Sequence, residues 1–215
     1  MSGIHATAVV DPRAELDASV SVGPYAVIGP HVRVGAGTTI GPHCVIEGHT
    51  RIGSDNRIFQ FASIGAAPQD KKYAGEPTRL EIGHGNTIRE FVTINTGTVQ
   101  DEGLTRIRHD CWTMASVHLA QACRLGDHLL LANAVQLPRH VHLGAGGFLG
   151  GLTGVHQFGR VGAHAMTAFQ TRLAQDVPPF VTAGGNPAEA QSINAEGLKR
   201  RGFSPERITL IKQMY

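Results

Sequence analysis

Every sixth residue from Ile4 to Ile64 is aliphatic: Ile4, Val10, Leu16, Val22, Ile28, Val34, Ile40, Ile46, Ile52, Ile58 and Ile64. Ile, Leu and Val together make up 46 of the 215 residues. Eleven successive hits therefore have chance odds on the order of 10⁻⁸, which marks an internal repeat. The pattern resumes at Ile82, Ile88 and Ile94. It runs again from Ile107 through Leu119, Leu125, Leu131, Leu137, Leu143, Leu149, Val155 and Val161 to Leu173, with Thr113 and Thr167 as weak members. A helix spaces its apolar residues by three and four, and a strand by two. Six fits a short strand followed by a turn. Three such sides close a triangular coil of about 18 residues, and stacked coils pair their strands about 4.8 Å apart around a narrow core. A narrow core needs small side chains, and small or medium residues stand four after the aliphatic positions: Ala8, Ala14, Val20, Ala26, Val32, Thr38, Cys44. Gly directly follows at 23, 29, 35, 41, 53 and 65, where a tight corner calls for positive φ or close backbone approach.

The rest of the composition narrows the function. A net charge of +2 is too small to argue for a nucleic-acid or membrane surface. No run of 18 apolar residues exists, so no transmembrane helix is expected. The first residues lack the basic and apolar regions of a signal peptide, and three cysteines then read as reduced thiols in a cytoplasm. Cys44, Cys111 and Cys123 each fall in the small inward slot and read as core filler. Residues 66–81 and 100–106 interrupt the coil, the second because Ile94 to Ile107 spans 13 residues. Excursions from a rigid solenoid often carry a binding site. The solenoid is expected over 1–186 and a helical segment over 187–215. In that segment 188–201 reads as a helix stopped by Gly202, and Ser204-Pro205-Glu206 opens a second with Ile208, Leu210 and Ile211 as its apolar face.

Stacking by eighteen brings distant residues together. Gln121, Arg139 and Gln157 share one place around the coil, with His140 and His156 immediately beside it and His118 three residues before Gln121. Two further histidines, His128 and His164, are 36 residues apart and stack two coils apart. A resemblance to the γ-type carbonic anhydrases, whose Zn²⁺ is held by three histidines, would want a third five residues beyond, but position 169 is Phe, so no metal is expected.

The repeat resembles that of the hexapeptide acyltransferases, which implies a left-handed parallel β-helix, an all-β solenoid with a short C-terminal helical segment. More specific segments resemble the UDP-N-acetylglucosamine acyltransferases of lipid A biosynthesis. They are residues 69–79 (QDKKYAGEPTR), Gly97-Thr98-Val99-Gln100, Gly154-Val155-His156-Gln157-Phe158, 174–179 (AQDVPP) and 196–203 (EGLKRRGF). Similarity covers essentially the whole sequence, although the family carries further C-terminal helices. The resemblance implies transfer of an (R)-3-hydroxyacyl chain from acyl carrier protein to the glucosamine 3-hydroxyl of UDP-N-acetylglucosamine. It also implies no cofactor and a homotrimer with sites at subunit clefts. By matching positions, Asp70 and Lys72 hold the acyl 3-hydroxyl end, and Gln157, Asn194, Glu196 and Arg201 contact the nucleotide. Asn95 stands at a nucleotide-contacting His, and Arg200 meets the carrier's phosphopantetheine arm. His118, His140 and His156 match active-site histidines, the Arg139 N–H matches the oxyanion donor, and Phe169 falls at the position that closes the acyl groove.

The match departs from the family at its chemical centre. Gln121 and Ala122 stand where the family has its general-base His and the following Asp. A carboxamide cannot hold a catalytic proton near neutral pH. Three readings stay open: an acyltransferase of reduced turnover, one whose base has moved to His140 or His118, and a non-catalytic paralogue that binds UDP-sugar or acyl carrier protein. In the first, Gln121→His with Ala122→Asp is expected to raise the rate.

Overall fold

The computed structural model describes residues 3–215. Most aliphatic positions of the repeat end a short strand, mostly two residues long, and the strands stack, in parallel except for one near the C-terminus, into sheets of 11, 9 and 8. These are the first, second and third faces of a left-handed β-helix. Register is set by the repeat: Ile40, Ile58 and Ile88 pair in line on the first face, as do Ile28, Ile46 and Ile64 on the second. Nearly all of these aliphatics from Val22 onward are buried, and so is the small slot four residues later.

Close backbone approach, not positive φ, is what most of the corner positions require of glycine. A Cβ on Gly23 would meet Pro42 N at 2.8 Å and Gly41 C at 2.9 Å on the coil above. Left-handed φ falls instead three residues after the aliphatic, and non-glycine residues often take it, among them Tyr25, His43, Phe61, Phe91, Ala122 and His140. At the corner between the first and second faces those rings form a ladder: Tyr25, His43, Phe61 and Phe91 stack at 5.1, 5.3 and 5.2 Å.

The cysteines lie inside, each on a different turn of the triangle, with sulfurs donating to Phe59, Gly126 and Pro138 carbonyls. Burial pushes the Cys111 thiol up to about 11 and Cys123 to about 12, and raises Cys44 as well. Thiolates are therefore scarce at neutral pH. Treatment of the folded protein with a thiol-alkylating reagent at pH 7.5 is expected to leave all three unmodified, and denaturant to expose three; labelling of the native protein would contradict this packing.

The C-terminal segment differs from the expected helix over 188–201. Val181–Gly185 continues the first face in parallel, and Ala188–Ile193 returns antiparallel against it. Ala, Glu and Gln in that stretch favour helix, but the open strand edge of Val181–Gly185 offers a ladder of unpaired backbone groups and wins. Helix α1 (Ala195–Arg200) starts only after Asn194, whose side chain caps it, and Gly202 ends it at φ +80°. Helix α2 (Pro205–Lys212) has Ser204 as its N-cap. Ile208 and Ile211 bury against Leu198, whereas Leu210 faces solvent and is not part of the apolar face.

Candidate functional site

Both excursions leave from one corner. The chain passes from the second face (Ser63–Ala66) through residues 67–78 to the third (Arg79–Ile82), and again from Thr93–Asn95 through 96–103 to Leu104–Ile107. The next turns at this second–third corner carry Gln121-Ala122, Arg139-His140 and Gln157-Phe158 as one column. His140 N–H donates to the Gln121 carbonyl (3.1 Å), and Phe158 N–H to the Arg139 carbonyl (3.1 Å). Arg139 Nε donates to Gln157 Oε1 at 2.9 Å, so the stacking by eighteen holds in this part of the chain.

The loops close over the column with charges. Asp70 lies 3.5 Å from the Arg139 guanidinium, and the Lys72 N–H donates to Asp70 Oδ1 at 3.0 Å, which turns the loop so that its carboxylate faces Arg139. From the second loop, Asp101 Oδ2 lies 3.4 Å from His140 Nδ1, while Arg124 pairs with Glu102 at 3.0 Å and with Asp101 at 3.5 Å. Burial acts to raise the Asp101 carboxyl. The Glu102 N–H, the Arg124 charge and His140 outweigh it, so Asp101 sits below the ordinary carboxylate value and is ionised at neutral pH. The His140 ring stacks on Phe158 at 4.6 Å and 3°, which fixes its plane.

The neighbours on the second face are ordered differently. His118 Nδ1 meets Thr93 Oγ1 at 2.7 Å, and burial pushes its imidazole below the ordinary value, towards the neutral form. Asn95 donates to the Ala67 carbonyl at 2.7 Å at the foot of the first loop, and its buried Oδ1 has no partner among the described residues. An unpaired buried acceptor costs about 1–3 kcal/mol, a cost that a ligand donor would relieve. His156 Nδ1 lies 2.9 Å from the Gln157 carbonyl. The Arg139 N–H makes no hydrogen bond among the described residues and is free to serve an acceptor.

The remaining expected residues lie elsewhere on the chain. Asn194 spends its side chain on the Gly197 N–H (3.1 Å) and the His164 carbonyl (3.0 Å), and Arg201 donates to the His128 carbonyl at 2.7 Å. Glu196 pairs with Lys199 at 2.7 Å, and Arg200 is exposed. His128 and His164 belong to the corner between the third and first faces, so this second set is separated from the Gln121 column by the width of the third face. Phe169 occupies the first–second corner, two-thirds exposed at 66%, at the far edge of the second face from Gln121. Asp101, Glu102 and Arg124 went unremarked in the sequence; their signal was a pair of acids inside the excursion that breaks the repeat.

A family model described as UDP N-acetylglucosamine O-acyltransferase, domain 2, matches residues 176–215. The chain is 68% identical to the acyl-[acyl-carrier-protein]–UDP-N-acetylglucosamine O-acyltransferase of Janthinobacterium sp. (strain Marseille) and 66% identical to that of Herminiimonas arsenicoxydans. Both matches cover 100% of this chain and 82% of the relative. Among solved structures, the UDP-N-acetylglucosamine acyltransferase of Francisella novicida superposes with a TM-score of 0.97 at 40% identity, covering 99% of this chain and 78% of that one. The UDP-N-acetylglucosamine O-acyltransferase of Moraxella catarrhalis gives 0.95 at 45%, covering 98% and 82%.

Proposed function

The chain belongs to the UDP-N-acetylglucosamine O-acyltransferase family, and we propose that its second–third corner is where an (R)-3-hydroxyacyl chain passes from acyl carrier protein to the glucosamine 3-hydroxyl of UDP-N-acetylglucosamine, the first step of lipid A biosynthesis. One observation carries the location: both loops and the column of Gln121, Arg139, His140 and Gln157 meet at this corner. Full-length relatives at 56–68% identity all bear the enzyme's name, which favours catalysis over a binding-only paralogue.

The roles follow from chemistry and position. Asp70, held beside Arg139, accepts a hydrogen bond from the acyl 3-hydroxyl, and Lys72 neutralises the approach. The Arg139 N–H donates to the oxyanion as the thioester carbonyl is attacked. Asn95, with its unpaired oxygen, His156 and Gln157 hold the nucleotide sugar. Arg200 suits the phosphate of the phosphopantetheine arm. Phe169 closes the acyl groove that runs across the second face. A thioester and a hydroxyl react without a cofactor or metal.

Asn194, Glu196 and Arg201 complete the nucleotide site only if a neighbouring copy presents them. A homotrimer does this by setting the third–first corner of one subunit near the second–third corner of the next, and flat solenoid faces favour such pairing. The carrier-protein donor and the unpaired thiols support a cytoplasmic site of action; among the described residues no helix is long and apolar enough to cross a membrane. Incubation with UDP-N-acetylglucosamine and a panel of 3-hydroxyacyl carrier proteins, read by mass, is expected to yield the 3-O-acylated nucleotide sugar. Failure with every donor would overturn the assignment.

A further inference from the structure

The reaction needs a base at this corner, and position 121 holds a carboxamide. Of the histidines at hand, His140 has the environment that a base requires. Its Nδ1 faces the Asp101 carboxylate at 3.4 Å, its ring is locked flat on Phe158, and its side chain is 14% exposed, so that it is neither sealed in nor free to swing. Its Nε2 has no partner among the described residues. The charged and titratable groups around it are Asp101 from the loop, Arg139 before it, His142 two residues on, whose imidazole burial pushes towards the neutral form, and Arg124 and Glu102 behind Asp101.

We propose that in this chain the general base is His140, positioned by Asp101, and that the pair does from one coil higher what the family assigns to residues 121 and 122. His140 stands directly above Ala122, and its N–H bonds to the Gln121 carbonyl. One coil is about 4.8 Å, so the proposed base stands about that far along the corner from the position the family uses. His118 is the weaker claimant. Its Nδ1 is taken by a hydroxyl rather than a carboxylate, and burial disfavours the imidazolium that a base must become.

The step balances. His140 Nε2 takes the proton of the glucosamine 3-hydroxyl as that oxygen bonds to the thioester carbon, and the carbonyl π electrons move to the oxygen facing the Arg139 N–H. Collapse breaks the C–S bond and expels the carrier's phosphopantetheine thiolate, which takes the proton back from the imidazolium. Asp101 holds the Nδ1–H tautomer and stabilises the transient cation without accepting a proton. Gln121 remains able to hydrogen-bond the attacking hydroxyl.

The inference rests on the acyl-transfer reading, and the test separates the two. His140→Asn keeps a residue that tolerates left-handed φ, so the corner folds. It is expected to lower kcat by about 10²–10⁴-fold while UDP-N-acetylglucosamine binding, measured by calorimetry, stays unchanged. Asp101→Asn is expected to lower kcat with KM unaltered, which a merely structural loop residue would not do. Adding Gln121→His with Ala122→Asp to His140→Asn is expected to restore much of the rate. Native turnover retained in His140→Asn, a rise in KM alone in Asp101→Asn, or no rescue by the pair each overturns the proposal. A native protein that transfers no acyl chain overturns the functional reading itself, and the base assignment with it.

Discussion

Replacing Gly97 by Val is expected to cost both the fold of the active corner and nearly all of its activity. A Cβ at Gly97 would collide with the backbone of Gly103 and Leu104, reaching Leu104 Cα at 2.7 Å. Backbone cannot swing aside as a side chain can. The same spot joins three chain segments: Gly97 N–H donates to the Arg79 carbonyl (3.1 Å), Arg79 N–H donates to the Gly103 carbonyl (2.7 Å), and Thr78 and Thr96 share a buried hydroxyl contact at 3.0 Å. Prying them apart moves the loop that carries Asp101 and the loop that carries Asp70. Overpacking of this kind costs about 1–3 kcal/mol, and a shift of about 1 Å in catalytic groups lowers a rate on the order of a hundredfold. A thermal melt lowered by several degrees, together with lost transfer, is the expected pair of readings. Unchanged values for both would show that the corner yields more easily than its hydrogen bonds imply.

Phe169→Gly is expected to change which acyl chains are bound. Phe169 stands at the outer edge of the second face, its ring edge over Gly151, where a Cβ would meet Phe169 Cδ2 at 3.3 Å. Between that edge and the His140 corner, Gly154 leaves the face bare, with nothing within 4 Å of a Cβ built there. In the proposed groove a chain laid across Gly154 ends at Phe169, and a ring there fills the volume of several methylenes. The native protein is therefore expected to prefer 3-hydroxyacyl donors of about ten carbons or fewer. Four further methylenes are worth about 3 kcal/mol of burial, so Phe169→Gly should gain on the order of a hundredfold for a fourteen-carbon donor over the native chain. Equilibrium binding of ten- and fourteen-carbon hydroxyacyl carrier proteins to both variants measures this. Tighter native binding of the longer donor, unaltered by Phe169→Gly, would remove Phe169 from the groove.

The repeat made the solenoid legible because a narrow core imposes its period on the sequence directly; Ile40, Ile58 and Ile88 could hardly be read otherwise. Stacking by eighteen placed Gln121, Arg139 and Gln157 correctly because no excursion interrupts that stretch. It could not place Asp101 against His140. The loop over 67–78 keeps the six-residue phase yet carries the chain to the next face, and the second excursion breaks even that phase, so counting fails across both. The strand at Ala188–Ile193 was hidden for another reason. Its residues prefer helix, and only the exposed edge of Val181–Gly185, a tertiary fact, recruits them. Nor could spacing show that Asn194 and Arg201 dock on a different corner from Gln121.

The aligned corners make the solenoid behave like a graduated scale with divisions of about 4.8 Å. In most enzymes a reactive group is tied to one address, and moving it means rebuilding the surrounding backbone. Here the addresses along a corner share one backbone geometry: Ala122 and His140 both adopt φ +59° and hang from equivalent turns. A side chain at one division therefore hangs from the same kind of turn as its neighbour one coil away. What the repeat builds at this corner is a column of equivalent mounts rather than one singular position.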